Sequence, residues 1–104
     1  MRLPFLMLTV AVALAAGPAA AQSAGTDLGR NIAASCANCH GTNGVSAGVI
    51  PTLAGQAKQD LVTRMQEYKS GKRAGTIMPQ LAKGYSDEQI ELAAAWLAAQ
   101  PRAK

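Results

Sequence analysis

Large aromatic side chains are scarce in this sequence, and the shortage limits the core that the chain can build. Its 104 residues include two tyrosines, one tryptophan and one phenylalanine. Alanine dominates the apolar residues, and each alanine buries little area. A domain of this size is marginally stable even with a good core. We therefore expect a bulky group other than a side chain to fill the interior.

Charge of one sign and long apolar runs are also scarce. The net charge is only +4, and no basic stripe with interleaved aromatic residues is present, so no nucleic-acid partner is expected. The one long apolar run covers residues 3–16 and is shorter than the roughly 20 residues of a membrane-spanning helix. Small residues that suit signal peptidase follow it. We expect a cleaved signal peptide over residues 1–21, export to the periplasm, and one mature domain over residues 22–104 without a membrane span. A retained N-terminal anchor is the alternative.

Three helices and no strands are predicted for the mature domain. The first begins with Thr26 as N-cap and runs toward Cys36. The second covers residues 57–70, with Gly71 as the residue that ends it. The third follows Ser86, whose pairing with the glutamine three residues later forms a capping box. Two long irregular stretches, residues 41–55 and 71–84, are uncommon in a compact domain unless they enclose something. The expected class is all-α, with three main helices and long loops around a guest.

A C-x-x-C-H motif at residues 36–40 identifies the guest as one covalently attached haem c. The thiols of Cys36 and Cys39, one helical turn apart, can form thioethers with the two vinyl groups of a porphyrin. The adjacent His40 then offers its Nε2 to the iron. Three alternatives compete: a disulfide, a thioredoxin-like redox pair, which requires a βαβ unit, and a zinc site, for which a fourth protein ligand is missing.

The opposite axial position has two methionine candidates after cleavage. Met65 lies on the apolar stripe of the second helix, where a core role is expected. Met78 lies in an irregular stretch and precedes a proline, so it is the predicted ligand, ahead of Lys83 and Tyr85. An iron with both axial positions filled transfers electrons and binds no substrate, whereas a vacant position would suit a gas sensor.

These features resemble the class I cytochromes c over the whole mature chain. The matching features are residues 36–41, a proline-bearing loop, a late loop methionine and an aromatic in the C-terminal helix. The resemblance implies that the first and last helices cross with Gly29 packed beneath Trp96. It also implies that the carbonyl of Pro51 accepts a hydrogen bond from the Nδ1–H of His40.

Shorter segments are similar to two periplasmic types. Residues 51–56 and 69–73 resemble one domain of the two-haem c-four cytochromes, and residues 82–88 resemble the haem subunit of flavocytochrome c sulfide dehydrogenase. The resemblance implies a periplasmic single-electron carrier, not an enzyme, with periplasmic redox proteins as partners. The alternative is a haem subunit that receives electrons from a flavoprotein that oxidises sulfide.

A basic cluster at the end of the second helix is a candidate docking surface. Lys69, Lys72 and Arg73 are close together in sequence, and such a patch would steer an acidic partner. The alternative is a solvated helix end, where cations also complement the helix dipole.

Overall fold

The computed structural model describes residues 18–102, and this part of the chain contains helices and no strand. The four α-helices are α1 (Pro18–His40), α2 (Lys58–Ser70), α3 (Met78–Ala82) and α4 (Asp87–Ala98), and a 3₁₀ turn (Thr42–Gly44) follows α1. The predicted all-α class with three main helices is confirmed, and the short α3 is an addition to it. None of the described helices combines the length and apolar character needed to cross a bilayer. The predicted signal peptide falls mostly outside the described residues.

The predicted start of the first helix at Thr26 is wrong. Helix α1 continues through this residue to Pro18. Four of the six residues at positions 19–24 are alanine, which has the highest helix propensity, and proline is well suited to the first helical turn. The N-cap preference of Thr26 is therefore outweighed by the helix propensity of the residues before and after it. The predicted cleavage point after Ala21 falls inside α1 and stays a prediction.

The other helix ends follow local signals in the sequence. Gly71 ends α2 with a left-handed φ of 83°, and its N–H donates to the carbonyl of Tyr68 at 3.2 Å. At the start of α4 the Ser86 hydroxyl accepts from the backbone N–H of Gln89 at 3.1 Å. The Gln89 side-chain oxygen in turn accepts from the Ser86 N–H at 2.9 Å. The predicted capping box is confirmed.

Helices α1 and α4 form the most extensive packing contact of the fold. Gly29 of α1 is buried at their crossing. A methyl group on it would collide with the carbonyl oxygen of Leu92 and would lie 3.5 Å from Cβ of Trp96. The glycine thus admits the backbone of α4, and Trp96 packs beside that contact. The predicted crossing is present, with Leu92 as the nearer neighbour.

The buried core is small. Its nine apolar members are Ala33, Ala54, Leu61, Val62, Ala82, Ile90, Ala93, Ala94 and Leu97, five of them alanine. Among residues 24–102, no large side chain is fully buried. The core therefore combines many alanines, as the composition predicted, with a few larger residues such as Leu61, Ile90 and Leu97.

Candidate functional site

The C-terminal end of α1 carries the three residues of the motif. Cys36 and Cys39 are free thiols on consecutive turns, and His40 is the last residue of the helix. Gly41 then takes a φ of 87°, and a side chain there would collide with the carbonyl oxygen of Val45. Only glycine fits this tight reversal. The turn ends the helix directly after the histidine and folds the following loop back toward it.

The histidine ring is oriented by that loop. Nδ1 of His40 lies 2.6 Å from the carbonyl oxygen of Pro51. A carbonyl can only accept a hydrogen bond, so Nδ1 carries the proton and Nε2 keeps the lone pair that a metal ion requires. The structure thus contains the contact between His40 and Pro51 that the family resemblance implies.

The two thiols lie in different surroundings. Cys36 is half-buried and Cys39 is exposed. Burial raises the pKa of the Cys36 thiol, although hydrogen bonds from the Ser35 side chain and from the backbone act in the opposite direction. Cys36 therefore stays in its neutral, protonated form at ordinary pH.

Several large apolar side chains are exposed in the described part of the chain. They are Leu28, Val49, Ile50, Ile77 and Leu81, and Val49 is exposed to 102% of its reference area. Ile50 immediately precedes Pro51, and Ile77 immediately precedes Met78. The small core leaves room for an apolar macrocycle, and the exposed leucines, isoleucines and valine supply side chains that would pack against it. The residues present therefore fit a haem.

Met78 is the first residue of α3 and is half-buried. The predicted irregular stretch is thus wrong in part, because a five-residue helix interrupts it. A side chain at Gly75 would lie 3.2 Å from both the Pro79 ring and the Tyr68 ring, so this segment folds back closely onto α2. Met65, in contrast, packs against the buried core of α1, α2 and α4, as its position on the helix predicted.

A network around Tyr85 joins the segment that carries Met78 to the rest of the fold. The Tyr85 hydroxyl lies 2.7 Å from Oγ of Ser35, which precedes the first motif cysteine. The Tyr85 carbonyl accepts from Nζ of Lys69 at 2.7 Å, and the same ammonium lies 3.0 Å from Asp87. No local pattern predicts these contacts, because 50 residues separate Ser35 from Tyr85. The hydroxyl is engaged here with Ser35, which leaves Tyr85 a poor candidate for the iron.

Two of the three residues in the predicted basic docking cluster form contacts within the chain. Lys69 is bound as described above, and Arg73 forms an ion pair with Glu67 at 2.7 Å while its guanidinium lies 5.8 Å from the ring centroid of Tyr68. Lys72 is exposed, and within residues 24–102 its ammonium group has no hydrogen-bond or ion-pair partner. Of the three cations in the predicted cluster, only Lys72 is therefore free of such contacts within the described residues.

The alternatives to haem lack support in the described region. The two cysteines are not bonded to each other, and residues 18–102 contain no strand for a thioredoxin-like unit. The same residues bring together no group of three or more histidine, cysteine, aspartate or glutamate side chains able to hold a metal ion. A zinc site there would need such a group.

Comparison with known proteins gives one consistent result. Residues 26–100 match the sequence model of the cytochrome c family. The chain is 42% identical over 66 residues to the cytochrome subunit of sulfide dehydrogenase from Chlorobaculum tepidum. It is 39% identical over 99 residues to cytochrome c4 of Pseudomonas aeruginosa and 31% identical over 97 residues to cytochrome c-553 of Nitratidesulfovibrio vulgaris.

The matched share of each relative differs. The alignments cover 64%, 91% and 88% of this chain, and 60%, 46% and 92% of the three relatives in the same order. The chain thus spans less than two thirds of the first two relatives and nearly all of the third.

Proposed function

The chain belongs to the cytochrome c family, and from that premise we propose that it is a periplasmic single-electron carrier rather than an enzyme. The family carries covalent haem c, and Cys36 and Cys39 have the spacing for its attachment. We assign the two thioethers to these cysteines and the axial positions to His40 and Met78. When bound, haem supplies an iron that changes by one electron between its ferric and ferrous forms.

The observation that carries this proposal is the short contact between His40 and Pro51. It holds the proton on Nδ1 and so leaves the lone pair of Nε2 for the iron. Cys36, Cys39 and His40 lie within the last turns of one helix, as the attachment of a single haem requires.

Met78, which lies after α2 in the sequence, completes the proposed ligand set. Its half-buried position at the start of α3 and the close packing of this segment on α2 restrict where its thioether can go. A thioether is a soft ligand that favours ferrous iron, and the apolar side chains of Ile50, Ile77 and Leu81 keep water away from the centre. Both effects raise the reduction potential.

The ligand assignment is tested by two matched methionine substitutions in the holoprotein. Met78→Ala should abolish the far-red charge-transfer band of the ferric form, lower the potential and let carbon monoxide bind the ferrous form. Met65→Leu should leave all three properties unchanged, because Met65 packs in the core. The opposite pattern would show that Met65 is the ligand, and an unchanged spectrum in both variants would remove methionine ligation altogether.

Periplasmic location is part of the proposal and rests on the predicted signal peptide. Processing after Ala21 would make Gln22 the first residue of the mature holoprotein. The intact mass of the protein recovered from a periplasmic extract should equal that of residues 22–104 plus one haem. A mass that includes residues 1–21 would contradict the proposed processing.

A second candidate function is favoured by the relative from Chlorobaculum tepidum. That protein is the cytochrome subunit of a sulfide dehydrogenase, so this chain is an alternative candidate for the haem subunit of a similar complex, accepting electrons from a flavoprotein. Size-exclusion chromatography of the native protein distinguishes the two functions. A free carrier elutes as a small haem protein alone, whereas a subunit co-elutes with a larger protein that has a flavin spectrum.

A further inference from the structure

The loop that holds His40 is itself held by a chain of side-chain hydrogen bonds that starts on α2. Nη1 of Arg64 donates to Oε1 of Gln56 at 2.6 Å, and Nε2 of Gln56 donates to the carbonyl oxygen of Thr52 at 2.5 Å. Thr52 directly follows Pro51, whose carbonyl contacts the histidine. Hydrogen bonds and one stretch of backbone therefore connect Arg64 of α2 to the imidazole of His40, which we assign as an iron ligand.

Thr52 is fixed from two directions. Besides its carbonyl contact, its hydroxyl oxygen accepts from the backbone N–H of Ser46 at 3.0 Å. The carbonyl of Pro51 belongs to the peptide unit that enters Thr52, so restraining Thr52 also restrains the direction of that carbonyl. The next two residues, Leu53 and Ala54, are held by backbone hydrogen bonds to the Gly44 carbonyl. Among residues 24–102 only Gln56 donates to the Thr52 carbonyl, so Gln56 supplements the backbone contact that the Leu53 N–H of the same peptide unit makes with Gly44.

We propose that Gln56 and Arg64 are positioning residues that aim the Pro51 carbonyl at Nδ1 of His40 and thereby set the electron donation of the imidazole to iron. A strong hydrogen bond at Nδ1 makes the ring a better electron donor. A more basic ring stabilises ferric iron, which carries the higher positive charge. Weakening this chain of hydrogen bonds at Gln56 therefore raises the reduction potential. The proposal rests on the assignment of His40 as an axial ligand.

Two arginines provide a matched pair for the test. Arg64 and Arg102 both line one open cleft of ≈ 410 Å³ together with Thr52, Gln56 and Asp60. Arg102 donates instead to the Gly55 carbonyl at 3.1 Å. Gly55 is also held by its own N–H, which donates to the carbonyl of Leu97. Loss of either arginine removes one positive charge from the same cleft, but only loss of Arg64 releases Gln56.

The experiment measures the midpoint potential of the holoprotein by spectroelectrochemistry for Gln56→Leu, Arg64→Met and Arg102→Met. Gln56→Leu, which changes no charge, should shift the ferric–ferrous equilibrium toward ferrous by about threefold to tenfold, where tenfold equals about 59 mV for one electron. The charge lost in either arginine variant favours ferric iron. Arg64→Met should therefore have a higher potential than Arg102→Met, by a shift similar to that of Gln56→Leu. Arg64→Lys should recover part of the wild-type value.

A second measurement follows the hydrogen bond directly. The exchange of the His40 Nδ1 proton with solvent, observed by NMR of the holoprotein, should accelerate in Gln56→Leu and Arg64→Met but not in Arg102→Met. If Gln56→Leu does not fold, the comparison of Arg64→Met with Arg102→Met provides the test, because only Arg64 binds the Gln56 side chain. Equal potentials in Gln56→Leu and wild type, with equal exchange rates, would overturn the positioning role while leaving His40 ligation intact. A wild-type spectrum without histidine ligation would overturn both.

Discussion

A single methyl group at the crossing of α1 and α4 should destabilise the protein measurably. In Gly29→Ala the new Cβ would be closer to the Leu92 carbonyl oxygen than real Cβ atoms come to such an atom. A backbone carbonyl cannot move aside as a flexible side chain would, so the helices must separate. Overpacking of this kind costs about 1–3 kcal/mol, and the gain of helix propensity from glycine to alanine offsets about 1 kcal/mol of it.

Gly25→Ala is the matched control, because Gly25 lies one turn earlier on α1 and also faces Leu92. A methyl group there would lie 3.8 Å from Cδ2 of Leu92, an ordinary van der Waals contact. The propensity gain is no larger at Gly25, which lies nearer the start of the helix, so the difference between the two variants gives a lower limit to the cost of the collision, about 1–3 kcal/mol. Urea denaturation of the holoproteins, followed by far-UV circular dichroism, gives both free energies of unfolding. Equal stabilities for the two variants would refute the close approach at Gly29.

Two further predictions concern the missing core and one carboxylate. A Cys36→Ala, Cys39→Ala double variant without haem should lose most of its helix content and its cooperative melt, since five of the nine buried apolar residues are alanine; native-like circular dichroism would contradict this. The pKa of Asp87 is lowered by hydrogen bonds from Gln66 and Lys69 and by the charge of Lys69. The ionised carboxylate therefore stabilises the fold at pH values above the ordinary carboxyl pKa of 3.8. This contribution disappears as the pH falls through the lower pKa of the folded state. Asp87→Asn should therefore destabilise the protein at pH 7 but not at pH 2 in urea titrations, and an equal loss of stability at both pH values would contradict this.

Local signals predicted those parts of the fold that depend on a few neighbouring residues. The capping box of Ser86 and Gln89 and the glycine end of α2 need only a short segment, and both are present. The C-x-x-C-H motif is equally local and led to the haem. The proximity of Pro51 to His40 was implied by the family resemblance and not by spacing.

Features that depend on competition or on long-range contacts were missed. Thr26 is a good N-cap, yet the alanines before it favour helix more strongly than the cap favours an end. The five residues of α3 are too few to show a periodic pattern. The basic cluster looked free because the partners Glu67 and Asp87 of its members are placed by tertiary packing. Charge in a sequence therefore says little about which cations a fold leaves available.

The position of Lys69 has a consequence for how the molecule can move. By binding the Tyr85 carbonyl and Asp87, this side chain closes residues 70–84 into a noncovalent ring whose ends meet at one ammonium group. Helices α2 and α4 also share the buried cluster that contains Leu61, Val62 and Ile90, so the ring is not their only connection. We therefore expect the ring to open in a subglobal event, separate from unfolding of the helical frame. Such an event would move the segment with Met78 and leave the helix with the cysteines and the histidine in place.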